Sequence, residues 1–388
     1  VTDIIPIDTG TGAKTHVLII GVGEYLHLPG GAEPVPELET MGLGQLTSTV
    51  ASAIAISNWI LHDYRNDAAP LASVQVLLSP SQVLPIRGRQ IPVDRASLAS
   101  VRSAFSRWKN RADTNPDNVA LFFFSGHGVE KETLALLLDD FGSDPNSPYF
   151  ESINWDSTYD GMRQCNALLQ VYWIDSCRSI TSDGLKKWAL NATTLVDPEV
   201  RASERSAPVI HATATNARAY GREGQATQFT KALLASLAGL GSEKRRNRWV
   251  ITPSKLFEGV GVAMRNLAAA EAYLPEEDRL PDQKAVSDGE EVDNKVIADV
   301  KGVPEVPVRI GWNPEASAAH SVAELKRLAR PRKTYTSSRS HPWACVVPAG
   351  SYRLRTTFEP PFEPMGDNDD PELLLLPPGL ERVIEARQ

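Results

Sequence analysis

A thiol and an imidazole occupy matching places in this chain. The apolar run Leu121-Phe-Phe-Phe124 is followed by Ser125-Gly126-His127-Gly128, and the run Val171-Tyr-Trp-Ile174 by Asp175-Ser176-Cys177-Arg178. A cysteine attacks a carbonyl carbon as thiolate. A neighbouring histidine stabilises that thiolate and later protonates the leaving amine, and each residue is inadequate alone near neutral pH. Taken singly, each has a plainer explanation: free cysteine is among the most buried residue types, and a histidine after a strand commonly plays a structural part. Together, after two similar apolar runs, they point to nucleophilic catalysis. Gly126 and Gly128 let a substrate backbone come close, and the amides of Gly128 and Cys177 can point at a developing oxyanion. The other cysteines, Cys165 and Cys345, read as packing residues.

The elements around these residues follow from periodicity. His16–Val22, Val74–Leu78, Val119–Phe124, Val171–Ile174 and Pro208–Ala212 are short apolar runs of the kind buried on both faces of a parallel sheet, with Leu134–Leu138 as an added strand. Leu43, Leu46, Val50, Ile54, Ser57 and Leu61 mark one face of a helix. Leu98, Val101, Phe105 and Trp108 mark a second, with Asp94 as its cap, and Phe229, Leu233, Leu237 and Leu240 a third. Strands alternating with helices predict a mostly parallel sheet flanked by helices, an α/β fold. Reactive side chains in such sheets gather at the carboxyl ends of strands, which is where His127 and Cys177 fall. Beyond residue 301 the pattern changes to short strand candidates, Val306–Ile310, Trp343–Val347, Tyr352–Thr357, Leu373–Leu376 and Val383–Ala386, separated by Pro and Gly turns. These predict a small C-terminal β domain or appendage.

His127 and Cys177 lie 50 residues apart, in the order His then Cys. With the first strand, the Ser-Gly-His-Gly and Asp-Ser-Cys-Arg strand ends, and His211-Ala-Thr-Ala followed by Gln228-Phe-Thr-Lys-Ala-Leu-Leu, the chain resembles the caspase/metacaspase superfamily of cysteine peptidases over about residues 14 to 270. The resemblance implies Cys177 as nucleophile, His127 as general acid/base, and the Gly128 and Cys177 amides as oxyanion donors. It places Asp175, two before the cysteine, in the pocket for the side chain preceding the cut. An acidic residue there looks like the metacaspase arrangement that accepts Arg or Lys; the lesser alternative is that Asp175 caps nearby amides as a strand-end carboxylate. The chain departs from metacaspases where they carry a second acidic residue on the first helix, having Leu46-Thr-Ser-Thr-Val50 instead. Tyr220 falls where many caspases place an aromatic wall for the substrate. The stretch Arg178–Ala207 corresponds to the linker that caspases cut to mature, and Lys186, Lys187, Arg201 and Arg205 in it are candidate autocleavage points or ordinary solvated charges.

The expected layout is therefore a caspase-like domain over 1–272, with the maturation loop at about 178–207, an acidic linker over 273–301 and a β-rich domain over 302–388. The expected activity is a cysteine endopeptidase cutting protein substrates after Arg or Lys, in a bacterial signalling, death or phage-defence setting, with an activating protein as a candidate partner. Two alternatives stay open: a catalytically weak caspase-like scaffold that works through partner binding, and a separase-like or gingipain-like peptidase of different specificity.

Composition narrows the rest. A length of 388 residues suggests two domains at about 150 residues each. Hydrophobic residues at 42% and charged residues at 23% exclude both a disordered chain and a membrane-embedded one. A net charge of -8 argues against nucleic acid as the main partner. Three cysteines without short spacing fit neither a disulfide framework nor a metal site, so a reducing compartment is expected. No signal-like N-terminus and no apolar stretch of spanning length is visible, and the expectation is a cytoplasmic protein with no membrane contact. No cofactor and no metal is expected: Gly21-Val-Gly23 lacks the third glycine of a dinucleotide fingerprint, and Asp139, Asp140 and Asp144 do not make a calcium loop.

Overall fold

The apolar runs that precede His127 and Cys177 are neighbouring strands of one sheet. The structure, a computed structural model, describes the chain apart from residues 1–2, 6–7, 9, 87, 179–187, 199–204, 215–216, 218 and 291–294. It divides into two units, Val1–Leu234 with Met264–Asp299, and Ala235–Ala263 with Val300–Gln388.

In the first unit the chain runs through β1 (Thr15–Val22), α1 (Ser48–His62), β2 (Leu71–Ser79), α2 (Leu98–Ala112), β3 (Val119–Gly126), β4 (Gly128–Glu130), β5 (Leu134–Leu137), β6 (Ser152–Asn154), α3 (Trp155–Gly161), β7 (Leu169–Ser176), β8 (Ala207–His211), α4 (Gln228–Ala235) and β9 (Val286–Glu290). The central sheet is ordered β9-β8-β7-β3-β1-β2. Its neighbours are parallel except β9, which pairs antiparallel with β8. The fold is thus α/β, with a largely parallel sheet flanked by helices.

β1, β3 and β7 are buried along their whole length, which is why they read as unbroken apolar runs. Alternation sends Leu18, Ile20, Phe122 and Phe124 into a core with Val101, Phe105 and Trp108 of α2. The other face of β1 meets α1 closely, since a Cβ at Gly21 would stand 2.6 Å from the Ala53 Cβ. Gly21 therefore serves helix packing. The cap of α2 is Ser97, whose side chain accepts the Ser100 N–H, and not Asp94. Ser97 has the extended backbone that a cap requires and stands directly before the first apolar residue of the stripe. β5 is the middle strand of a separate antiparallel sheet, β4-β5-β6. Within the acidic stretch 273–301, Val286–Glu290 forms β9 of the central sheet.

In the second unit β10 (Glu305–Asn313), β11 (Ser321–Arg327), β12 (Thr334–Thr336), β13 (Trp343–Pro348), β14 (Gly350–Phe358), β15 (Glu363–Pro364), β16 (Asp370–Leu375) and β17 (Leu380–Arg387) form two four-stranded sheets, β13-β10-β17-β15 and β12-β11-β14-β16. Val306, Val308, Ile310 and Trp312 alternate inward from β10 and share a core with Leu325, Tyr352, Leu354 and Ile384. Among the described residues no helix is long and apolar enough to cross a membrane.

Candidate active site

β3 and β7 lie side by side in register, Ser125 beside Asp175 and Gly126 beside Ser176. The next residue on each is His127 and Cys177, so both leave the same carboxyl edge of the sheet. Gly128 measures how closely these ends meet: a Cβ there would stand 2.4 Å from the Cys177 carbonyl oxygen and 2.6 Å from Ser176 Oγ. Leu137 N–H donates to His127 O at 3.0 Å, which makes Gly128–Leu136 the wide pair of the antiparallel ladder and leaves the Gly128 N–H directed away from it.

His127 has several supports. Its N–H donates to Tyr25 Oη at 2.7 Å, the two rings are 4.9 Å apart, and its Nε2 is 2.7 Å from Gly44 O. A carbonyl oxygen only accepts, so Nε2 carries the ring proton and Nδ1 keeps its lone pair. Burial pushes the imidazole down to about 4, with the Gly44 hydrogen bond pulling the other way. The ring is therefore neutral at neutral pH and able to take a proton.

Cys177 is half-buried, and its Sγ accepts the Ala219 N–H at 3.2 Å. Arg178, the next residue, forms a two-pronged pair with Glu130 on β4 (2.9 and 2.6 Å), tying the nucleophile's strand end to that of His127. The other two thiols are held protonated by burial: Cys165 is pushed up, and Cys345 is pushed up to about 11.

Asp175 is buried beneath this edge. Its Oδ2 accepts from Ser125 Oγ (3.1 Å), Thr227 Oγ1 (2.6 Å) and Thr230 Oγ1 (2.8 Å), while Oδ1 has no partner among the described residues. Burial raises its pKa, and the hydroxyl donors act against that shift. The carboxylate caps side-chain hydroxyls, so the alternative of a carboxylate capping backbone amides does not describe it.

The structure brings His127, Gly128, Asp175 and Cys177 together, and Tyr220 follows Ala219 directly. Tyr220 is half-buried, its N–H donating to Gln283 Oε1 and its carbonyl accepting from Gln228 N–H, both at 3.0 Å. Lys186, Lys187 and Arg201 lie outside the described residues. Arg205 is elsewhere: fully buried, it donates to Gln170 Oε1 and Tyr159 O, pairs with Glu290 and lies over the Tyr159 ring. It stands just ahead of β8, at the end of the sheet opposite Cys177, so it acts as an anchor and is no exposed cut point. Asp139 binds Ser79 Oγ and Arg95, and Asp140 takes the Leu98 N–H at the start of α2.

Sequence reasoning missed Tyr25, Gly44, Ala219, Ser125, Thr227 and Thr230. Thr227 could have been found, because it stands at capping spacing before α4 and accepts the Thr230 N–H at 3.0 Å. Gly44 acts through a backbone carbonyl, which leaves no mark in residue type.

Residues 78–261 match the caspase domain of peptidase family C14. Uncharacterized protein y4kE of Sinorhizobium fredii (strain NBRC 101917 / NGR234) is 31% identical over 193 residues, which is 45% of this chain and 52% of that relative, so the match spans about half of its length. Among solved structures, protein GSU0716 from Geobacter sulfurreducens is similar with a TM-score of 0.42 at 15% identity, covering 71% of this chain and 92% of that one. Caspase-1 from Spodoptera frugiperda is similar with a TM-score of 0.42 at 13% identity, covering 76% and 96%. Residues 78–261, which contain both His127 and Cys177, are thus similar to the caspase domain of family C14, whose members are cysteine peptidases.

Proposed function

We propose that this chain is a cysteine endopeptidase that cuts protein substrates after Arg or Lys. The observation that carries the reading is the paired register of β3 and β7, which delivers His127 and Cys177 to one edge with Gly128 between them. In the proposed cycle the Cys177 thiol gives its proton to His127 Nδ1, and the thiolate attacks the carbonyl carbon preceding the scissile bond. The oxyanion is met by the amides of Gly128 and Cys177. Collapse breaks the C–N bond, and His127 returns its proton to the leaving amine. Water, deprotonated by the neutral His127, then hydrolyses the thioester and regenerates the thiol.

Asp175 supports the basic preference. A buried carboxylate with one unpartnered oxygen gains from a cation and disfavours an anion, and leaving such a charge unpaired costs about 3–5 kcal/mol.

The test is kinetic. Cys177→Ala should lower cleavage of Arg- and Lys-ended fluorogenic peptides about a thousandfold or more with an unchanged circular dichroism spectrum, and persistent turnover would sink the assignment. Asp175→Asn should lose roughly a hundredfold or more on those peptides while Cys177 still reacts with iodoacetamide at the wild-type rate. Equal losses in both measurements would remove Asp175 from substrate recognition.

A further inference from the structure

We infer that Gln45 is a positioning residue that fixes the orientation and tautomer of His127. The inference rests on the reading of His127 as the acid/base group. His127 draws its support from two irregular segments, Tyr25 after β1 and Gly44 ahead of α1. Segments of this kind need cross-links to hold a fixed separation. The Gln45 side chain supplies them: its Oε1 accepts the Tyr25 N–H at 2.8 Å, and its Nε2 donates to Tyr25 O and to Pro29 O, each at 3.0 Å. One amide thus binds both backbone groups of Tyr25, as a paired strand would, and spends both of its protons doing so. A backbone bond from Leu46 N–H to Gly23 O at 2.7 Å joins the same two segments but does not reach Tyr25.

The Gly44 carbonyl belongs to the peptide unit that the Gln45 nitrogen completes. Clamping Gln45 therefore sets the direction of the oxygen that receives the Nε2 proton. The same clamp sets the position of Tyr25, whose Oη takes the His127 N–H. Without the clamp, the ring can turn or carry its proton on Nδ1, where it cannot accept the thiol proton.

Two variants test this. Gln45→Met keeps the length and removes every hydrogen bond, and Gln45→Glu keeps the acceptor for Tyr25 N–H and removes both donors. In Gln45→Met, kcat on an Arg- or Lys-ended peptide should fall about ten- to a hundredfold, with KM changed less than about threefold. The rate of Cys177 alkylation by iodoacetamide, followed by peptide mapping, should fall across the neutral range, because the neutral imidazole no longer stands in place to take the thiol proton. Gln45→Glu should lie between Met and wild type. Folded variants with wild-type kcat and alkylation profile would overturn the inference, as would a rise in KM at constant kcat. If Gln45→Met fails to fold, Gln45→Glu decides by the same readings. Wild-type protein that cleaves no peptide would overturn the proposed function, while the alkylation profile, which needs no substrate, still decides Gln45.

Discussion

His127 is neutral because it is buried, and that can be measured apart from catalysis. In Cys177→Ala, where no thiolate can form, the His127 C2–H resonance should titrate near 4 and stay unchanged through the ordinary histidine range. The unfolded chain takes this proton from about 6.5 downward and the native state only from about 4. This group's contribution to stability is thus full above the unfolded value and is lost as pH falls across that window. A titration near 6.5 would mean that the imidazole is open to water. Asp175 shows the opposite sign from the same cause, since burial disfavours its charged form. The positions of His127, Cys177 and Asp175 were legible because each ends or follows an apolar run. Their supports were not, because Tyr25 acts from a loop and Gly44 through its backbone.

Two adjacent strands do the aligning, and Gly128 keeps their ends together. Gly128→Ala would place a Cβ against the Cys177 backbone, which cannot rotate away as a side chain could. Overpacking of this kind costs about 1–3 kcal/mol, to be read from urea denaturation, and kcat should fall with it as the two strand ends part. Unchanged stability and turnover would show that the ends can separate without consequence. Burial also decides which elements the sequence announces. β1, β3 and β7 are covered on both faces and read clearly, whereas β9, with the sequence Val286-Ser-Asp-Gly-Glu290, is half-exposed and polar. β11 was missed because residue type follows its alternation poorly: Ser321, Ala323 and Leu325 are its buried side, but Ser321 is polar and the apolar Val322 lies on the other side.

At the scale of the chain, Arg205 ties the end of the stretch between β7 and β8 to the fold. If the protein matures by its own activity, intact-mass analysis should place any cut at Lys186, Lys187 or Arg201, and none at Arg205. Cys177→Ala should remain whole. A cut after Arg205 in folded protein would require the loss of its contacts with Gln170, Tyr159 and Glu290. β9, which supplies Glu290 to that anchor, has a second effect. It pairs with β8 from Ala207 to His211 and covers backbone groups that would otherwise be open to any extended chain. The border it presents in their place carries the exposed Asp288, so two copies approaching there bring like charges together. Asp288, one of the acidic residues that made this stretch read as a tether, thus sets a charge against strand-by-strand pairing of copies along that side.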